Sequence, residues 1–318
     1  MANFIVTSAL DLTGDGETVT GSLRAALEAA NAAPGEDHLI DLSAIAGQTI
    51  RLSEAALTVN ANVEITGAGV VITGDTEGND ALSVGPDGQR VTDAFANFST
   101  DDNVRVFDIL SGTVVLSDLT LTGGVAQVPN GDGNSDGSGG AISANGADVD
   151  LTLRDVTLMG NAANVDGGAV SATGAALRIE DSVLSANRAG LADGIRGTGG
   201  AVDANAVLVI VGSVFADNAA LTNGGAVNTS GTSSALGAAD IVSSSFINNS
   251  AGDGGAIGNF GDLTLTNVTL VDNAAVAQSF NGGQFTTGGR GGAVVNTRSL
   301  TLEQTTVTSN LANGDGGG

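Results

Sequence analysis

Six copies of one phrase limit what this chain can fold into. Gly-Gly-Ala followed by Ile or Val begins at Gly139, Gly167, Gly199, Gly224, Gly254 and Gly291. Each copy is answered downstream by an apolar residue, two others and an Asn: Leu158 to Asn161, Leu184 to Asn187, Phe215 to Asn218, Phe246 to Asn249, Leu270 to Asn273 and Val307 to Asn310. From first Gly to Asn the spacing is 22, 20, 19, 25, 19 and 19 residues, and from Asn to the next Gly-Gly it is 6, 12, 6, 5 and 18. The minimal unit is therefore 25 residues, and the excess falls at turns. A constant core with insertions at fixed places is what a solenoid permits, because a loop can leave the stack without changing contacts between neighbours. A propeller blade needs about 40 residues or more, and the Leu-x-x-Leu-x-Leu frame of leucine-rich repeats is absent.

Between these phrases lie short β-branched runs such as Thr49-Ile50-Arg51-Leu52, Val63-Glu64-Ile65 and Val70-Val71-Ile72, apolar at alternate positions as a half-buried strand requires. With 49 Gly among 318 residues and no collagen period, the chain reads as many short strands joined by tight turns. The expected fold class is all-β: a right-handed, single-stranded parallel β-helix of roughly nine to eleven coils, a rod about 45–50 Å long at ~4.8 Å per coil. In such a stack Gly-Gly supplies positive φ at a sharp corner. Ala fits the crowded position beside it, and a buried Asn column can bond from rung to rung. The apolar residues ahead of those Asn should form a column of their own, Phe215 and Phe246 included. Gly316 to Gly318 stand where a seventh phrase would open, so the last coil is expected to act as an interface for further copies of the chain or neighbouring modules.

The first residues follow another pattern. Residues 1–12 read as one strand and residues 13–17 as a polar turn. Leu23, Ala26, Leu27 and Ala30 then mark one face of a helix over residues 22–33, with Ser22 as its cap. Residues 1–36 thus form a strand and capping helix, and residues 37–318 the β-helix, with an insertion at about residues 74–103 where Gly and Asp break the rhythm. The run Gly21-Ser-Leu-Arg-Ala-Ala-Leu-Glu-Ala-Ala-Asn31, followed by Pro34 to Ile40, resembles the CSLREA module that begins large bacterial surface proteins, with Gly21 for the usual Cys and Ala25 for the usual Glu. The paired phrases from residue 139 on resemble the repeats of bacterial polymorphic outer-membrane proteins, an autotransporter adhesin family, although only two of six carry Phe and no barrel translocator is visible. Both resemblances imply a parallel β-helix on a bacterial surface, closed at its first coil by the helix.

A formal charge of −25, from 35 acids against ten Arg and no Lys, repels nucleic acid and anionic membrane and attracts divalent cations. There is no Cys, no signal peptide in the first 20 residues, and no apolar run long enough to cross a bilayer. Location outside the cell or on its surface is the expectation.

The sharpest candidate site is Asp132-Gly-Asn134-Ser-Asp136-Gly137, three oxygen side chains at alternate positions as in the first half of a calcium loop, although Ser143 stands where the bidentate Glu belongs. Asp132, Asn134 and Asp136 are thus the candidate calcium ligands. Asp11, Asp15 and Glu17 form a smaller acidic group, and Asp166, Asp253 and Asp315, each ahead of Gly-Gly, could stack as a column. Enzymes such as pectate lyases and alginate epimerases also use this fold, and Asp155, Glu180 and Asp181 with Arg154 and Arg178, near the ends of equivalent strands, are the candidates for such chemistry. They read equally as an ordinary charged outer face with Asp155 and Asp181 at turns, and a highly acidic groove would repel polyuronates. Without Trp or Tyr there is no stacking platform for sugars, and His38, the only His, reads as a packing residue of the cap. Outward Thr at Thr152, Thr264 and Thr301 is interrupted by Arg178 and Val209, which argues against an ice-binding array. The resulting expectation is a non-catalytic structural or adhesive module, a rigid calcium-compatible rod and not an enzyme. The alternatives are a filament subunit stacking end to end and a polysaccharide lyase or epimerase.

Overall fold

The computed structural model describes residues 2–78, 103–127, 137–190, 197–230, 238–276, 278–280 and 285–314. The stretch Asp132 to Asp136, most of the 74–103 insertion, and Asp315 to Gly318 lie outside the described residues. What is described is a parallel β-helix. One coil shows the pattern: strand Val170–Thr173 leaves the Gly-Gly-Ala corner, Ala176–Glu180 follows as a longer strand, then Val183–Ser185 and Arg188–Ala189. Each pairs in parallel with its counterpart one coil on, so that Ile179 meets Ile210, Leu184 meets Phe215 and Val170 meets Val202. The long strands form a column running through Leu39, Glu64, Val115, Thr152, Arg178, Val209, Asp240, Thr264 and Thr301. Alternate residues point inward, and Leu151, Leu153, Leu177, Ile179, Leu208, Ile210, Leu263 and Leu265 are buried in one continuous core. Phe215 and Phe246 stack within it, with centroids 4.8 Å apart and planes at 9°.

The corners explain the repeated phrase. The first Gly of each pair has positive φ, 63° at Gly167 and 62° at Gly199. The second is needed for space: a Cβ on Gly225 would lie 2.1 Å from the Gly255 carbonyl oxygen and 2.5 Å from the Ser250 nitrogen. Two further corners per coil also use the left-handed region, and these seldom employ Gly. Asp155, Asp181, Ser243 and Asn267 occupy one, Ala186, Asp217, Asn248 and Asp272 the other, with φ from 48° at Asp181 to 57° at Asp217. Asp and Asn tolerate this region better than other residues because their short polar side chains bond locally.

The Asn column is a complete ladder. Asn161, Asn187, Asn218, Asn249 and Asn273 are fully buried. The Nδ2 and backbone N–H of Asn187 both donate to Asn218 Oδ1 at 3.0 Å, and Asn218 does the same to Asn249. The second Nδ2 hydrogen of Asn218 reaches the Leu184 carbonyl of the previous coil at 2.9 Å. The ladder begins at Gly124 N–H, which donates to Asn161 Oδ1, and runs to Asn310. A Ser column repeats the device, the N–H of Ser182 and of Ser213 donating to the hydroxyl of Ser213 and of Ser244. Where the Gly-Gly column begins, Arg105 caps it, giving Nε to the Gly139 carbonyl, Nη2 to the Ser138 carbonyl and Nη1 to Asp108.

Helix α1 (Leu23–Asn31) closes the first coil, with Ser22 Oγ accepting from Ala25 N–H and Leu23, Ala26, Leu27 and Ala30 buried. It ends slightly earlier than expected, in a tightened turn ahead of Pro34 where Ala33 N–H donates to the Ala30 carbonyl. The Asn31 side chain ties this end to the strand Leu57–Asn60, donating to the Thr58 carbonyl and accepting from Asn60 N–H. The expected strand over residues 1–12 is shorter, Ala2–Ile5, since Thr7 and Ser8 N–H both turn to the Gly21 carbonyl.

Two substitutions test the corner. Asn218→Ala leaves two buried donors of Asn187 without an acceptor, and each unsatisfied buried group costs about 1–3 kcal/mol, so urea denaturation should show a loss of about 3 kcal/mol. Gly225→Ala, which drives a methyl into backbone, should cost about 3 kcal/mol. Gly35→Ala, where a Cβ meets nothing within 4 Å, should be near neutral in the same measurement.

Candidate functional site on the long-strand sheet

The inward residues of the long strands are fixed by the core, so chemistry is left to the outward ones. Successive coils place Ser117, Arg154, Glu180 and Val211 side by side, and beside them Val115, Thr152, Arg178 and Val209. Neighbouring strands lie about 4.8 Å apart, so Arg154 faces Glu180 directly. Arg178, two residues earlier on its strand, shares their face. Arg154 Nε donates to Glu180 Oε2 at 2.9 Å and Arg178 Nε to Oε1 at 2.5 Å. Glu180 is 18% exposed, whereas its partners are 49% and 45% exposed. The carboxylate is thus set into the surface between two guanidinium groups that reach solvent. One coil on, Val207 is exposed and Val209 and Val211 are half-buried, an apolar strip beside the charged island.

The electrostatics follow from this clasp. Hydrogen bonds from Arg154 and then from Arg178 hold the Glu180 carboxyl below its ordinary range, against the opposing effect of burial. Arg154 is raised in turn, chiefly by its bond to Glu180 and that charge, with smaller contributions from Glu64 and Asp155. Glu180 therefore stays ionised at neutral pH and is no proton donor. Arg154 holds its proton more firmly than a free arginine.

The other candidates separate. Asp155 and Asp181 sit on the left-handed corner, both exposed, with Asp181 Oδ1 lying over Gly212. Asp166 and Asp253 do not stack: the residues ahead of Gly-Gly run Asp166, Thr198, Asn223, Asp253, Arg290. Asp166 accepts from Thr198 N–H and hydroxyl, and Asp253 is forked by Arg290 at 2.6–3.3 Å. Asp11 leaves the acidic group it was read with. It is buried, held by Arg24 at 2.7 and 2.8 Å and by Ser53 N–H, while Asp15 and Glu17 remain exposed. His38 is buried, with Nε2 against the Ala33 carbonyl at 2.9 Å and its ring near Phe4. Thr264 and Thr301 are neighbours, but Arg178, Val209 and Asp240 separate them from Thr152. The expected calcium ligands Asp132, Asn134 and Asp136 lie outside the described residues, among which no group of three or more His, Cys, Asp or Glu could hold a metal ion. The valine strip was missed in the sequence because Val207, Val209 and Val211 read as ordinary strand residues.

No family model and no curated protein matches the chain. Two solved structures are similar over 98% of it. A pectin methylesterase variant in complex with hexasaccharide IV is 13% identical, covered over 92% of its length, with a TM-score of 0.40. Pectin methylesterase PemA from Erwinia chrysanthemi is 12% identical, covered over 91%, with a TM-score of 0.43. Both are enzymes, and on that finding the expectations of a non-catalytic structural or adhesive module and of a chain that is not an enzyme are withdrawn. At these scores the likeness assigns no substrate and no residue role, so the surface chemistry itself must carry any assignment.

The clasp can be tested by following Glu180 through a pH titration with side-chain carbon NMR. Its midpoint should fall below the ordinary glutamate value of about 4.3, and Arg178→Ala should move it upward. Because the folded value is the lower one, the stability contributed by this group is present above the unfolded-state value and lost as pH falls through the folded one.

Proposed function

We propose that this chain is a polysaccharide-active β-helix that receives an extended saccharide on the outer face of the long-strand sheet. The observation that carries the reading is Glu180, a carboxylate recessed between Arg154 and Arg178 on a face that is otherwise flat strand. Around it lie hydroxyl groups at Ser117 and Thr152 and the valine strip at Val207, Val209 and Val211, a mixture of polar anchors and apolar floor that suits a sugar's hydroxyl edges and C–H faces. Two fixed guanidinium groups suit the stabilisation of a developing oxyanion, since pre-oriented charge acts without reorganisation. An ionised acceptor between them suits the orientation of an attacking water. The reaction class is then hydrolytic. A chain that is strongly acidic and free of Cys and Lys is suited to work outside the cell, and no helix among the described residues is long and apolar enough to cross a membrane. The repeated corners and the capping helix are consistent with the bacterial surface-protein resemblances, which would make the rod a carrier for this site.

Purified protein should be assayed over neutral, acetylated, methyl-esterified and uronate-containing polysaccharides for new reducing ends, released methanol or acetate, and unsaturated uronates. Turnover is expected in one of the hydrolytic assays, with a fall of about 100-fold or more in Glu180→Gln, the scale seen on removing one electrostatic catalytic group. Absence of turnover over the whole panel, or turnover that survives Glu180→Gln, overturns the reading.

A further inference from the structure

Resting on that polysaccharide reading, we infer that the saccharide bound at Glu180 carries carboxylate groups, and that Arg154 and Arg178 select them. Each arginine uses only Nε on Glu180. Among the described residues their Nη groups make no hydrogen bond, and both side chains are about half exposed. A guanidinium held through Nε keeps its outer Nη edge fixed in direction, and that edge matches a planar carboxylate in a two-point bond. Two such edges stand on adjacent coils, one at each end of Glu180. The neighbouring coil offers Val207, Val209 and Val211 in place of charge, so an acidic sugar on the arginines places its neighbour on an apolar floor. Glu180 has two opposed effects here. It positions both guanidinium groups, and as an anion it weakens the attraction of either for a second carboxylate.

That opposition gives the test its sign. Binding of oligogalacturonate, a sulfated dextran oligomer and a neutral glucan oligomer of equal length is measured by calorimetry on wild type, Arg154→Ala/Arg178→Ala, Val209→Asp and Glu180→Gln. The uronate should bind at least about 10-fold more tightly than the neutral glucan. The double arginine variant should abolish the difference, and Val209→Asp, which sets an anion directly across from Arg178 while keeping both arginines in the chain, should reduce it. Glu180→Gln should bind the uronate more tightly than wild type while its turnover falls. Circular dichroism checks that each variant keeps the fold, which these outward positions leave undisturbed. Equal affinity for uronate and neutral glucan, indifference to the arginine variant, or preference for the sulfated oligomer overturns the inference. Selective uronate binding without turnover supports it and sinks the hydrolytic reading alone.

Discussion

The structure depends on one constraint: every coil must turn after each of its four strands, inside a stack that buries the corner backbone. A backbone N–H or carbonyl buried at such a corner needs a partner from within the protein. The Asn ladder supplies it, since each side chain accepts twice through Oδ1 and donates twice through Nδ2, using its whole capacity on the coils above and below. The paired glycines answer the other half of the constraint by letting backbone approach backbone, Gly200 against Gly225 and Gly225 against Gly255. Asn and Gly-Gly are therefore parts of one arrangement, and the extra residues at 187–199 and 273–291 fall in the sequence between the two.

This is why so much of the fold was legible in the sequence. A position that meets its own equivalent in the next coil must meet the same demand six times, and the demand appears as a repeat. The Phe215–Phe246 contact, the Asn column and the alternation of the long strands were readable for that reason. The left-handed corners at Asp217 and Asn248 were not, because several residue types satisfy a positive φ and no single letter recurs. The second Gly of each pair was misread in its purpose: close approach of backbone, not φ, excludes a side chain there.

At the N-terminal end the same demand is met only once, so it leaves no period to read. Asp11 looked like one of three acids in a turn. Burial of a lone carboxylate is costly, and it is sustained because Arg24 grips both its oxygens and Ser53 N–H adds a third bond. Arg24 also donates to the Ala55 and Ala56 carbonyls, so one guanidinium joins the first segment, the capping helix and the second coil. The Ser-Leu-Arg phrase has a physical content in this chain. Ser22 caps the helix, Leu23 closes the core, and Arg24 fastens the cap to the rod.

The candidate site was half legible, and the division follows the pleat. Inward positions repeat because the core repeats; outward ones are free to differ from coil to coil. The outward column runs Glu64, Val115, Thr152, Arg178, Val209, Asp240 and Thr264, so no repeat singles out any of its members. The residue types named the acids and arginines, and the turns at Asp155 and Asp181 were readable, but the register is what sets Arg154 directly against Glu180, 26 positions on. Two arginines of only ten in the chain meet on one glutamate. On a surface of net charge −25 that meeting is not required by the stack, since neighbouring coils hold valine and serine at the same positions without loss of pairing. The fold explains why the strands are there. It leaves the outward charges free to vary from coil to coil, as Arg178, Val209 and Asp240 do in adjacent strands.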